Sequence, residues 1–162
     1  MKKTLIALTA TTLLGTAAFA ANLPTVKEID VNVDIGDVTN AKAAAYWQNL
    51  EADLENAILA RLVDQTDEED GAKIMIDISE VELADGFTDM MDLEKSVLKG
   101  DVYQSHDVDN SRFKSYELIV TYDLAAPMLG EGFNPNASEA DAQRAYMALV
   151  EAFAGEVVQS IK

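Results

Sequence analysis

Between residues 28 and 35 apolar and polar positions alternate strictly, Ile29, Val31, Val33 and Ile35 against Glu28, Asp30, Asn32 and Asp34. A period of two puts one side of the chain inward and the other in water, so this segment reads as a first strand. The period then lengthens. After a turn over residues 36–40, Trp47, Leu50, Leu54, Ala57, Ile58 and Leu62 recur at helical spacing, which predicts a helix from about Ala41 to Val63 with Asn40 able to cap it. A polar loop from Asp64 to Gly71 leads to a second alternating run, Ile74, Ile76 and Ile78, whose inward parity changes to Val81 and Leu83. The change marks a bulge near Glu80 or the end of the strand.

Asp85-Gly86 is a turn signal, and residues 87–92 that follow are irregular. A third strand is expected from about Leu93 to Ser105, a connection over Asp107 to Ser111, and a fourth strand carrying Tyr116, Leu118, Val120, Tyr122 and Leu124 on one side. An antiparallel pairing of the last two that sets Leu98 against Leu118, Lys99 against Glu117 and Tyr103 against Phe113 is self-consistent. Pro127 to Ala137 forms a second long loop. Ser138 with Asp141 approximates a capping box, and Tyr146, Leu149, Val150, Phe153, Val157 and Ile161 give a final helix its buried stripe. The order is β-α-β-β-β-α, an α+β fold with two helices on one face of a four-stranded mixed sheet. That arrangement leaves the other face of the sheet polar or available for pairing.

The first twenty residues follow a different pattern. Lys2 and Lys3 precede an apolar stretch from Leu5 to Phe19 that ends in Ala18-Phe19-Ala20, the three parts of an export signal. Cleavage is expected between Ala20 and Ala21, so residues 1–20 form a signal peptide and 21–162 a single domain. The threonines and glycine of the stretch leave it less apolar than a spanning helix, and no transmembrane segment is expected after the signal is removed. The paired lysines are not a twin arginine, which favours export of an unfolded chain without a preloaded cofactor. The expected location is the periplasm, with passage beyond it also open.

The whole chain has a formal net charge of −17, and loss of Lys2 and Lys3 takes it to −19. Such a field repels nucleic acid and anionic membranes, within a screening distance of about 10 Å at 0.1 M salt. The sequence contains no cysteine, which removes thiol catalysis, disulfides and thiolate metal sites. A chain of this size buries about two thirds of its unfolded surface and needs no crosslink.

The helix sequence LEADLENAILARL (Leu50–Leu62), the strand sequence SYELIVTYDL (Ser115–Leu124) and the order of elements together resemble the lipopolysaccharide-assembly lipoprotein family. The layout is also similar to auxiliary lipoproteins of transport systems and to the amino-terminal domain of the TolB type. The resemblance implies an envelope setting. Members of the lipopolysaccharide-assembly family carry a lipidated cysteine after the signal and engage a polyanionic lipid; this chain has no cysteine and a strongly acidic surface.

Candidate chemistry is sparse. His106 is the only histidine, and its neighbour Ser105 would point to the opposite face of a strand, so the pair makes a poor nucleophile and base; the plainer reading of His106 is a solvent-exposed turn residue. Asp107, Asp109 and Ser111 have the first three spacings of a calcium loop. Arg112 then stands where that loop needs glycine and Leu118 where it needs glutamate, so ordinary turn chemistry is favoured and no cofactor is expected. The run Asp67-Glu68-Glu69-Asp70 reads as a solvated loop. Phe87, Met90 and Met91 in one loop, and Met128, Leu129 and Phe133 in another, either bind a partner or complete the core from outside. Lys95, Lys99, Arg112 and Lys114 are the one basic concentration, suited to an acidic group or to local pairing such as Lys99 with Glu117. These features favour a non-enzymatic envelope accessory that binds a protein through a sheet edge or the apolar loops. A small-ligand or lipid carrier using the cleft between helices and sheet is the alternative, and a hydrolase of unrecognised type the third.

Overall fold

A computed structural model describes residues 25–34, 45, 47–82, 97–134 and 137–161. Strands β1 (Val26–Val33), β2 (Ala72–Glu82), β3 (Val97–Ser105) and β4 (Lys114–Thr121) form one sheet in the order β1-β2-β3-β4. The first pair is parallel and the other two antiparallel, so the sheet is mixed. Helix α1 (Leu50–Arg61) makes the crossover between β1 and β2, the short α2 (Tyr122–Ala125) follows β4, and α3 (Glu139–Ile161) closes the chain. The α+β architecture expected from the alternation is the one observed.

The helices cover one face. Leu50, Leu54, Ala57 and Ile58 of α1 and the stripe from Tyr146 to Ile161 of α3 bury against Val31, Ile74, Ile76, Ile78, Leu98, Val102 and Val120 of the sheet. Trp47 meets Tyr146 with ring centroids 5.3 Å apart, and the Tyr146 hydroxyl donates to Asp53 Oδ2 at 2.6 Å. Arg61 ties the two long helices together: its guanidinium donates to the carbonyls of Ala57 (2.9 Å) and Glu151 (3.1 Å) and pairs with the Glu151 carboxylate. At the start of α3, Asp141 N donates to Ser138 Oγ at 3.1 Å, the predicted cap.

Four local expectations change. Residues 45 and 47 are helical as expected, but a turn at residues 48 and 49 interrupts the helix, with Asn49 at φ −103°, ψ 4°, and α1 follows from Asp53 N to Asn49 O (2.9 Å). Asn49 makes no side-chain cap bond, and the apolar stripe, which runs on from Trp47 to Leu50, does not register that break. Residues 41–44, including the expected start at Ala41, and the proposed cap Asn40 lie outside the described residues. The β3–β4 pairing sets Leu98 against Val120, Lys99 against Ile119 and Tyr103 against Ser115, two residues away from the expected register. The turn Asn110–Arg112, capped by Asp109 through Ser111 N (3.0 Å), absorbs residues that the expected pairing gave to the strand. Because the shift equals the strand period, every side chain keeps its face. Tyr122 and Leu124 do not continue β4: they lie in a helical turn in which Tyr122 packs with Ala142 and Ala145 and Ala125 joins the main core, which leaves Leu124 exposed. Finally, His106 is buried rather than solvated. Of the two readings of the parity change, a bulge near Glu80 or the end of the strand, the bulge is the one present, since pairing passes from Asp77↔Asp101 to Glu80↔Lys99 with one extra residue on β2.

Candidate functional site

No described helix covers the second face of the sheet. Outward positions alternate with the buried ones, so β1 contributes Glu28, Asp30 and Asn32, β2 Lys73, Met75 and Asp77, β3 Lys99, Asp101, Tyr103 and Ser105, and β4 Ser115, Glu117 and Ile119. Cross-strand register aligns Asp30, Met75, Tyr103 and Ser115 in one row. Phe113, just before β4, stands beside that row. Glu28, Asp30, Lys73, Met75, Tyr103, Ser105 and Phe113 surround a cavity of about 410 Å³ open to solvent. Met75 is 52% and Phe113 56% exposed, unusual for outward positions that polar residues could fill.

One end of this cavity is fixed by charge. Lys73 reaches Glu28 at 3.4 Å and Asp107 at 3.3 Å, and Lys27 pairs with the same Asp107. The hydrogen bond from Lys27, and then that from Lys73, holds the Asp107 carboxyl below the usual carboxylate range. Lys73 is raised above the ordinary lysine value, first by its hydrogen bond to Asp107 and then by Glu28. A lowered carboxylate contributes stability above its unfolded pKa and loses it as pH falls through the folded value; a raised lysine contributes below its unfolded pKa and loses it as pH rises through the folded value. Asp107→Asn is therefore expected to be less stable than the parent at pH 7, with the gap closing as pH falls below about 4. Urea midpoints at neutral and acid pH check this, and a gap that stays constant would remove the ion pairs as its cause.

The loop beside this corner is built from backbone. Val26 N donates to Gln65 O (2.8 Å), Asp67 N to Val26 O (3.0 Å) and Ala72 N to Thr25 O (2.8 Å), which blunts the outer edge of β1. Asp67 Oδ1 accepts from Glu69 N (3.0 Å) and Asp70 N (3.1 Å), and those bonds, Asp70 first, lower its pKa. His106 joins the same loop. Its Nε2 donates to Asp70 O at 2.8 Å, while its buried Nδ1 has no hydrogen-bond partner among the described residues. Ser105 faces the open cavity and the His106 ring is engaged elsewhere, so the two do not form a nucleophile and base.

The other sequence candidates disperse. Asp109 is held by Ser111 and by Arg112 (3.0 Å), and Asp107 by two lysines, so the oxygens of the calcium-like spacing serve a turn and ion pairs. Lys99 pairs with Glu117 at 3.2 Å as a diagonal on the open face, whereas Lys114 donates to Ser160 O (3.3 Å) on the helical side. The described members of the basic concentration thus point three ways; Lys95 lies outside the described residues. Leu129 and Phe133 pack beside Tyr122, Ala142 and Ala145, with Arg144 4.8 Å over the Phe133 ring, and Met128 is exposed. Phe87, Met90 and Met91 lie outside the described residues. The open-face cavity was not singled out from the sequence. Its signal was an apolar residue at outward parity on adjacent elements: Met75, Tyr103 and Phe113.

No protein-family model matches the chain, and none of the curated proteins does. Among solved structures it is similar to a minor lipoprotein from Acinetobacter baumannii, at 15% identity, with 83% of this chain and 91% of that one covered and a TM-score of 0.29. A likeness at that level defines no family, and the likeness to lipopolysaccharide-assembly lipoproteins stays a resemblance in element order. Among the described residues no helix is long and apolar enough to cross a membrane.

Proposed function

We propose that the chain is an exported envelope-accessory module that docks a protein partner on the open face of its sheet. Residues 1–20 act as the export signal and residues 21–162 work as one domain in the periplasm, without catalysis. The observation that supports docking is the cavity of about 410 Å³ with exposed Met75 and Phe113, since solvent-facing apolar groups clustered around a concavity mark interaction sites. The helical face is filled by its own core. Met128, exposed in the turn after α2, is the competing docking point that the sequence offers.

Photoreactive residues introduced one at a time at Phe113, Met75, Met128 and Leu59 in producing cells test the assignment. Adducts of one discrete mass from positions 75 and 113, and none from the exposed Leu59 of α1, are expected. Adducts from position 128 alone would move the site to the loop. A second reading, carriage of a small apolar ligand, is supported by the cavity volume, which falls in the range of roughly 300–1,000 Å³ typical of ligand sites. Native mass spectrometry of freshly purified protein separates it, because a carrier retains a bound small molecule.

A further inference from the structure

Two features of the open face together specify what would dock there. The first is the apolar cavity itself, with Met75, Tyr103 and Phe113 around it. The second is the charge beside it. One strand period along the sheet from the Met75 row, Asp77 lies opposite Asp101 and Asp101 opposite Glu117, so three carboxylates follow one another across β2, β3 and β4. Like charges placed directly opposite destabilise a sheet. Lys99 reaches the outermost, Glu117, at 3.2 Å, and the Asn32 amide gives Asp77 a 3.4 Å bond. Among the described residues no cation pairs with Asp101, and none pairs with Asp30 on the β1 rim of the cavity. Among the described residues the lysines of this face, Lys73 and Lys99, are already occupied, Lys73 by Glu28 and Asp107 and Lys99 by Glu117.

From this charge complementarity, and resting on the docking reading above, we infer that the open face takes a segment of a partner protein that alternates lysine or arginine with large apolar residues. The apolar side chains enter the cavity against Met75 and Phe113. The cations lie against Asp30 at the rim and over the carboxylate row. Tyr103, beside the cavity, offers a ring face on which a guanidinium or ammonium stem can rest. An acidic partner is disfavoured on the same face by the carboxylates that attract the basic one.

The test uses the purified protein and a short amidated peptide alternating lysine with leucine and phenylalanine, titrated by calorimetry. Two further peptides replace either the lysines by glutamate or the apolar residues by serine. Micromolar binding of the first is expected, with each of the others at least about tenfold weaker. Asp30→Asn combined with Asp101→Asn is expected to weaken it about tenfold and to flatten its salt dependence. Glu51→Gln with Glu139→Gln removes the same charge at exposed sites on the helical side and is expected to leave the affinity within about twofold. Equal weakening by both pairs would overturn the inference, leaving only attraction by the whole acidic surface. Absence of measurable binding by the lysine peptide would overturn it too. If the glutamate peptide binds as well and Met75→Ser with Phe113→Ser still abolishes binding, the cationic occupant is wrong while docking on the open face stands. If that double variant binds the lysine peptide normally and stays folded by circular dichroism, the docking reading itself falls.

Discussion

Phe153→Ala is expected to lower the unfolding free energy by about 3–5 kcal/mol, the usual cost of removing a core phenylalanine. Phe153 is fully buried in the middle of α3 and belongs to the cluster that joins both long helices to all four strands. The cost depends on whether the hole can close. Here α3 is held to α1 by the bonds from Arg61 to Glu151 O and from Tyr146 to Asp53, so the helix cannot settle inward without breaking them. A domain has about 5–15 kcal/mol in total, so the variant is expected to lose a large share of its stability. Urea unfolding gives the answer through a lower midpoint at unchanged slope. A loss under about 1 kcal/mol would mean that the helix layer repacks freely and that the ties to α1 do not constrain it.

Gly71→Ala is expected to cost about 3 kcal/mol although it adds one methyl group. A Cβ at this position would stand 2.4 Å from Asp67 O, 2.5 Å from Lys27 N and 2.6 Å from Val26 C, all backbone atoms. Rotamer changes cannot relieve contacts with backbone, so the loop over residues 65–71 must move. That loop carries the bonds to both ends of Val26 and the carbonyl that His106 holds. Moving it strains the start of β1 and the loop behind the cavity corner together. Gly155→Ala supplies the comparison: nothing lies within 4 Å of its Cβ position, and alanine in the middle of a helix is expected to add about 0.5–1 kcal/mol. Thermal midpoints of the two variants should shift in opposite directions; a shift in the same direction would discount the close approach at Gly71.

The parts of the fold that declared themselves in the sequence are those where a single rule decides. Ile74, Ile76 and Ile78 announce β2, and the change of parity after them locates the bulge, because strand faces have a period of two with no slack. Ser138 and Asp141 announce the start of α3 because a helix end must satisfy its own donors. Where two rules compete, the reading slipped. Tyr122 and Ala125 satisfy a helical turn, while Tyr122 and Leu124 satisfy a strand equally well, and only the position of Ala142 and Ala145 decides between them. The β3–β4 register depends on how many residues a turn consumes, and turn chemistry at Asp109–Ser111, legible in the sequence, does not by itself fix that number. The burial of His106 is not legible in the sequence because its partner, the Asp70 carbonyl, is a backbone atom far away along the chain. The candidate site was harder still. Met75 sits inside an isoleucine run, where an outward apolar residue is indistinguishable from one more core residue until the strand is placed between its neighbours.

The parallel pairing of β1 with β2 also bears on how the chain folds. The β2–β3–β4 meander joins strands that neighbour one another in sequence, whereas β1 meets β2 only after the chain from Val33 to Ala72 has closed as a loop. Long closures slow folding more than they cost stability. Since β1 is also an edge, the pairings of β2 with β3 and of β3 with β4 are complete without it. The amino-terminal strand is thus the element placed to dock last, and with it arrive Glu28 and Asp30, so the rim of the cavity is completed only when folding is.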